Sequence, residues 1–324
     1  MSRYLQVAVG ILLATLGGGV RAAGYPERPV RMIVPFSPGG GTDIIGRVLA
    51  ERFTDQFGKP FIVDNRPGGG AMIGANLVAK ANPDGHTLLV GTSAELTISP
   101  SIYGGAPYNP ETDFVPLALL GVSPVVLVAS PKFDGKDVRE IINRAKASPG
   151  KLAIANGGTG AAPHLAGELL KSIAGVNYIM VPYKGAGPAL IDVMGGQVEL
   201  SFTTIASVLG YIRSNRIKPI AVIAAKRSSL LPEVPSVAEQ GIPNYEAVTW
   251  FGLFTPAHTR KEVNDTLREA TDKALRDKAM QSRLETLGIE AGSVEAGGEA
   301  LTTRIRTELA RWSKVVKAAG IKGE

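Results

Sequence analysis

Two unusually long apolar runs constrain this chain most. "VPLALLGVSPVVLVAS" fills residues 115–130 and "AVTWFGLFTP" fills residues 247–256. The first exceeds an ordinary strand, and Gly121 and Ser123-Pro124 interrupt it. It reads as two strands joined by a bend, passing from one domain to another. The second run reads as the return crossing. A chain that crosses twice has a discontinuous first domain and an inserted second one. Read as a pair of parallel strands, the crossings make a hinge, and hinge closure over a cleft is a standard way to enclose a ligand.

Strands and helices alternate on either side of the first crossing. Residues 30–36 read as a buried strand and 43–53 as a helix with Ile44, Ile45, Val48, Leu49 and Phe53 on one face. A strand at 61–65, a helix at 73–80 and a strand at 87–91 complete a βαβαβ unit, hence a parallel sheet covered by helices on both faces. A second block repeats the pattern: helix 137–147, strand 151–155, helix 164–173, strand 178–183, helix 189–194, and strands 199–203 and 219–224. Ser236 and Glu239 form a capping-box pair on a short helix that Gly241 stops. Ile305, Leu309, Trp312 and Val316 repeat at helical spacing up to Gly320, a helix expected to pack on the first domain's sheet.

Residues 1–22 read as a secretory signal: Arg3, an apolar stretch over residues 7–16, then small residues, with cleavage expected near Ala22. No later stretch is apolar for long enough to cross a bilayer. Removing Arg3 and Arg21 from 35 basic residues leaves 33 against 29 acidic ones, a mildly basic chain. The positive residues form no block and have no aromatic interleaving, which argues against nucleic acid as a partner. Without cysteine there is no thiolate metal site or cysteine nucleophile, and His86, His164 and His258 are too scattered for a histidine metal site.

The glycine loops carry the chemistry. "VPFSPGGGTDIIGR" joins a strand to a helix, as a phosphate loop does, but Thr42-Asp43 stands where a P-loop needs Lys and a hydroxyl residue, and an aspartate there would repel a phosphate. No GxGxxG occurs at Gly39, Gly68 or Gly158. "GTSAE" at residues 91–95 falls short of a GxSxG elbow, and Ser148–Lys151 spans a Pro-Gly turn that cannot start a helix. Nothing demands an enzyme. The strand–glycine–helix unit recurs at residues 34–53 and 151–173, once per domain. Each copy offers backbone N–H groups at the positive end of a helix, and two of them across a cleft would clamp a small carboxylate.

"YPERPVRMIVPFSPGGGTDIIGR", "NRPGGGAMIGANLVAKANPDGHTLLVG", "GGTGAAPHLAGELL", "VPYKGAGPALIDVMGGQVEL" and "LPEVPSVAEQGIPNYEAVTWFGLFTPA" together resemble the Bug/TctC proteins, extracytoplasmic solute-binding receptors of tripartite tricarboxylate transporters. The resemblance covers essentially the whole chain after the signal, in order. It implies a type II periplasmic-binding-protein-like α/β fold: domain I over residues 23–122 plus 251–324, domain II over residues 123–250, a two-strand hinge and a cleft. It implies a periplasmic monomer without catalysis, cofactor or metal, capturing a small carboxylate for the membrane transporter subunits. Carried onto this chain, the site comprises Phe36, Ser37, Gly39, Gly40, Thr42 and Asp43 of the first loop and Gly158, Thr159, Gly160 and His164 of the facing loop. Thr92, Ser93, Tyr183, Thr203 and Thr204 stand at further cleft positions. Relatives often carry an acidic or amide residue near Thr203-Thr204.

The residues themselves favour a cap role for Asp43 and a structural role for His164; Met180 and Trp250 read as core or hinge packing. An exported hydrolase or lyase in the same cleft would have only His164 with Thr159 or Ser93 to work with. A receptor that signals to a membrane sensor kinase would share the cleft.

Overall fold

A computed structural model describes residues 24–321, so the expected signal segment, residues 1–22, lies outside the described residues. Strand β1 (Val30–Val34) lies between β2 (Phe61–Asn65) and β3 (Thr87–Thr92), all parallel. Its residues alternate between two layers. Val30, Met32 and Val34 pack with Ile45, Leu49 and Phe53 of α1 (Gly41–Phe57). Ile33 faces the other way, onto Met72, Ala75 and Val78 of α2 (Met72–Ala79). Burial on both faces is why the strand is apolar apart from exposed Arg31.

The long run at 115–130 is one strand, β4 (Phe114–Ala129), not two. Its register shifts between Pro116 and Ala118 and again between Leu119 and Gly121, while Ser123 and Pro124 pair in step with Thr249 and Val248, so the expected breakers do not end the ladder. What changes along β4 is its partner. Phe114 to Pro124 pairs with β9 (Val248–Pro256), whereas Val125 to Ala129 pairs with β7 (Leu200–Thr204) and β8 (Lys218–Val222). The hinge strands β4 and β9 are antiparallel, contrary to the expected parallel pair. The reason is directional: one strand carries the chain out and its neighbour brings it back.

In the second domain β5 (Ala153–Asn156) lies parallel between β6 (Ile179–Pro182) and β7. Val126 and Val128 of β4 face Leu190 of α6 (Ala186–Gly195) and Val208 of α7 (Ile205–Arg213). Val125 and Leu127 face Ile141 of α4 (Val138–Ala147) and Leu165 of α5 (Ala162–Ala174). After β3 a π-helical turn (Ala94–Ile98) runs into the short α3 (Ser99–Ile102).

The chain ends with α8 (Lys261–Arg276), α9 (Lys278–Thr286), the edge strand β10 (Glu290–Ser293) on β4, and α10 (Gly298–Ala319). Helix α10 does more than cover the first sheet. Ile305 belongs to the first domain's core, while Val316 belongs to the second domain's, with Trp312 packed against it. Fully buried Trp250 donates its indole N–H to Glu308 at 2.9 Å, tying the hinge to this helix. Ser236 and Glu239 make both capping-box bonds, at 3.2 and 2.7 Å, yet close a turn and not a helix, since Gly241 and Pro243 follow at once.

Candidate functional site

Strands β1, β3, β5 and β7 all end at the cleft between the domains, the usual crevice for ligands in α/β sheets. The cleft has two lobes that share Phe36, Ala94, Gly157 and Ala161. The inner lobe, about 480 Å³ including its mouth, is lined mainly by apolar and hydroxyl residues, and no Asp, Glu, Lys, Arg or His lines it.

Four helices begin on the walls of the inner lobe. Gly40 precedes α1, Ala161 precedes α5, Thr204 precedes α7, and Ala186 opens α6. In none of the four does the N-cap residue's own side chain cap the helix, although Ser207 Oγ accepts from Gly41 N of α1 and Ser123 Oγ from Ala206 N of α7. By contrast, α4 and α9 are capped by Asp137 and Asp277, whose carboxylates accept from Glu140 N and Met280 N at 2.8 Å. First-turn N–H groups lack acceptors within their own helix, so they and the positive helix ends make this lobe receptive to an anion.

The walls touch across the cleft. Gly41 N donates to Ser207 Oγ at 2.9 Å, Ser207 Oγ lies 2.9 Å from Thr204 Oγ1, and Ser37 N donates to the Lys184 carbonyl at 2.9 Å. Gly158 has φ +130°, and a Cβ there would lie 2.9 Å from the Tyr183 carbonyl, so only glycine fits that approach.

Of the residues expected in the site, Phe36, Gly40, Thr42, Thr92, Ser93, Thr203 and Thr204 line the inner lobe. Gly158, Thr159 and Tyr183 line the outer one, again with Phe36. Ser37, Gly39, Asp43, Gly160 and His164 line neither lobe. His164, the third residue of α5, is buried beside a separate surface pocket that also includes Thr159, Glu168 and Lys171. The hydroxyl of Tyr183 donates to Asp192 at 2.6 Å.

Asp43 is not the cap of α1, because the helix starts two residues earlier and Gly40 holds that position. Its carboxylate reaches back to Gly39 N at 3.0 Å and also accepts from Arg47 at 2.9 Å and Asn65 at 3.0 Å. Burial raises its pKa, but these bonds outweigh burial and hold the carboxyl below its usual range. Asp43 thus fixes the loop from behind.

Three residues were missed from sequence. Glu95 is fully buried and accepts from Thr92 N at 2.5 Å and Thr92 Oγ1 at 2.7 Å. Burial pushes its pKa up to about 7. Its only sequence signal is a carboxylate directly after a buried strand. Thr249 and Ser207 also line the inner lobe; Thr249 was hidden within an apolar run read as hinge.

Residues 45–321 match the family model for the tripartite tricarboxylate transporter family receptor, TctC. The chain belongs to this receptor family. BugT of Bordetella pertussis (strain Tohama I) is 38% identical over 325 residues, covering 99% of each chain. Among solved structures, Rhodopseudomonas palustris Rpa4515 with adipate is 33% identical, with a TM-score of 0.87 over 92% of this chain and 99% of that one. MatC (Rpa3494) from the same organism, with bound malate, is 32% identical, with a TM-score of 0.85 over 90% and 100%. The receptor's fold is that of the two-domain periplasmic binding proteins, as its motifs implied. Its relatives are solute-binding receptors and not enzymes. Among the described residues no helix is long and apolar enough to cross a membrane.

Proposed function

We propose that this receptor captures a small organic acid in the interdomain cleft and hands it to the membrane subunits of a tripartite tricarboxylate transporter. The observation that carries the reading is the meeting of four helix N-termini, none capped by its own N-cap side chain, around a lobe that no charged side chain of the described residues lines. Backbone N–H groups and helix ends can hold a carboxylate there without a cation. The protein acts as a monomer in the periplasm after cleavage near Ala22. Domain I is residues 23–122 with 251–324, and domain II is residues 123–250. The change of partner along β4 at Pro124–Val125 supports that division. The adipate and malate held by two relatives support a carboxylate as ligand.

Calorimetric titration of the mature protein with mono- and dicarboxylates, each paired with its neutral amide, tests the reading. One acid bound per protein with no product formed, and no binding of the amide, is expected. Equal binding of acid and amide would overturn it. Gly40→Val should abolish binding while the protein stays folded. Gly40 has φ −90°, which any residue adopts, and a Cβ there would lie 3.6 Å from Ala186 across the cleft, so a branched side chain wedges the walls apart.

A further inference from the structure

Three hydroxyls of the inner lobe have no hydrogen-bond partner among the described residues: Ser93 Oγ, Thr203 Oγ1 and Thr249 Oγ1. All three residues are more than nine-tenths buried, at 2, 2 and 8% exposure. They arrive from three directions: Ser93 just beyond β3 in the first domain, Thr203 on β7 in the second, and Thr249 on the returning hinge strand β9. Neighbouring hydroxyls are engaged, Thr92 with Glu95 and Thr204 with Ser207. A buried hydroxyl left unmet is destabilising, and an apolar residue of the same shape would avoid that cost. Three such groups lining one lobe therefore point to a ligand atom.

The chemistry of the lobe narrows which atom. A ligand carboxylate is served by the four helix ends. An ammonium would meet four positive helix ends and no carboxylate side chain. A hydroxyl both donates and accepts, so it matches other hydroxyls and carbonyls. We propose that Ser93, Thr203 and Thr249 form a subsite for an uncharged hydroxyl or carbonyl oxygen of the bound acid. The receptor then selects hydroxy or oxo acids over the deoxy and amino acids of the same carbon skeleton. This rests on the carboxylate reading of the cleft and specifies its ligand class.

Isothermal titration tests it with three matched sets: propionate, lactate and alanine; butyrate, 3-hydroxybutyrate and 3-aminobutyrate; succinate, malate and aspartate. In the skeleton bound most tightly, the hydroxy acid should bind about ten-fold or more tighter than both the deoxy and the amino acid, since a site built for a hydroxyl rejects the analogue lacking it. Thr249→Val should bring the hydroxy-to-deoxy ratio to about one. Ser93→Ala should lower the ratio in the same way. Neither variant should lower the melting temperature of the ligand-free protein, because each removes an unmet polar group. Equal affinities within a set, or a tighter amino acid, overturn the subsite while the carboxylate reading stands. A fall in melting temperature in both variants makes the hydroxyls structural and also overturns it. If no acid of any set binds, the carboxylate reading itself falls.

Discussion

Burial decides the behaviour of Glu95. It lies wholly inside, gripping Thr92 at the floor of the cleft, and its pKa rises from 4.5 to about 7. Between those values the folded protein holds a proton that the unfolded chain has released. The stabilisation is therefore complete below about pH 4.5 and is lost as pH rises through about 7. Glu95→Gln cannot ionise, so its stability relative to the parent should rise by about 3 kcal/mol from pH 4.5 to 8. Urea denaturation at each pH measures this, and a flat difference would show that Glu95 stays charged. At this scale the sequence showed residues beside a glycine loop, such as Phe36, Thr42 and Thr92. It did not show Glu95, whose burial comes from tertiary packing although its partner Thr92 is only three residues away, or Thr249, whose apolar neighbours set the local pattern.

At the scale of elements, two aspartates near helix starts play different parts. Asp137 caps α4, where its carboxylate accepts from Glu140 N at 2.8 Å. Asp137→Ala should cost about 1 kcal/mol of stability and leave ligand affinity unchanged. Asp43→Ala should cost about 2 kcal/mol by freeing the Gly39 N–H, Arg47 and Asn65, and should also weaken binding by loosening the loop that carries Gly40. Denaturation and titration on both variants check the contrast; a binding loss in Asp137→Ala alone would reverse the assignment. Asp43 invited a cap reading, and Asp137, the same residue type, is the one that caps. Only backbone direction distinguishes them. The glycines at 39–41 let the chain begin α1 early and leave Asp43 in its first turn.

For the whole molecule, the decisive contacts cross the cleft. Ser207 Oγ links Gly41 of one domain to Thr204 of the other, and α10 packs onto both cores. Ser207→Ala removes a cross-cleft hydrogen bond worth about 1 kcal/mol and shifts the population toward open forms. Affinity should fall about five-fold, and the ligand-free radius of gyration by small-angle scattering should increase. An unchanged radius with unchanged affinity would show that this bond does not bias closure. Two crossings were legible in the apolar runs at 115–130 and 247–256. That they are antiparallel, and that the first is unbroken, depends on which strands each half meets.

Apolar periodicity and glycine punctuation by themselves determined the alternating α/β plan, the two domains and the two facing loops, because these are written in neighbouring residues. Only the tertiary structure decided that His164 and Asp43 line neither lobe of the cleft, that four helices begin on the walls of the inner lobe, and that Ser93, Thr203 and Thr249 all line it. Those facts depend on strand pairing between residues more than a hundred positions apart, as between Thr92 and Phe251, which no local pattern encodes.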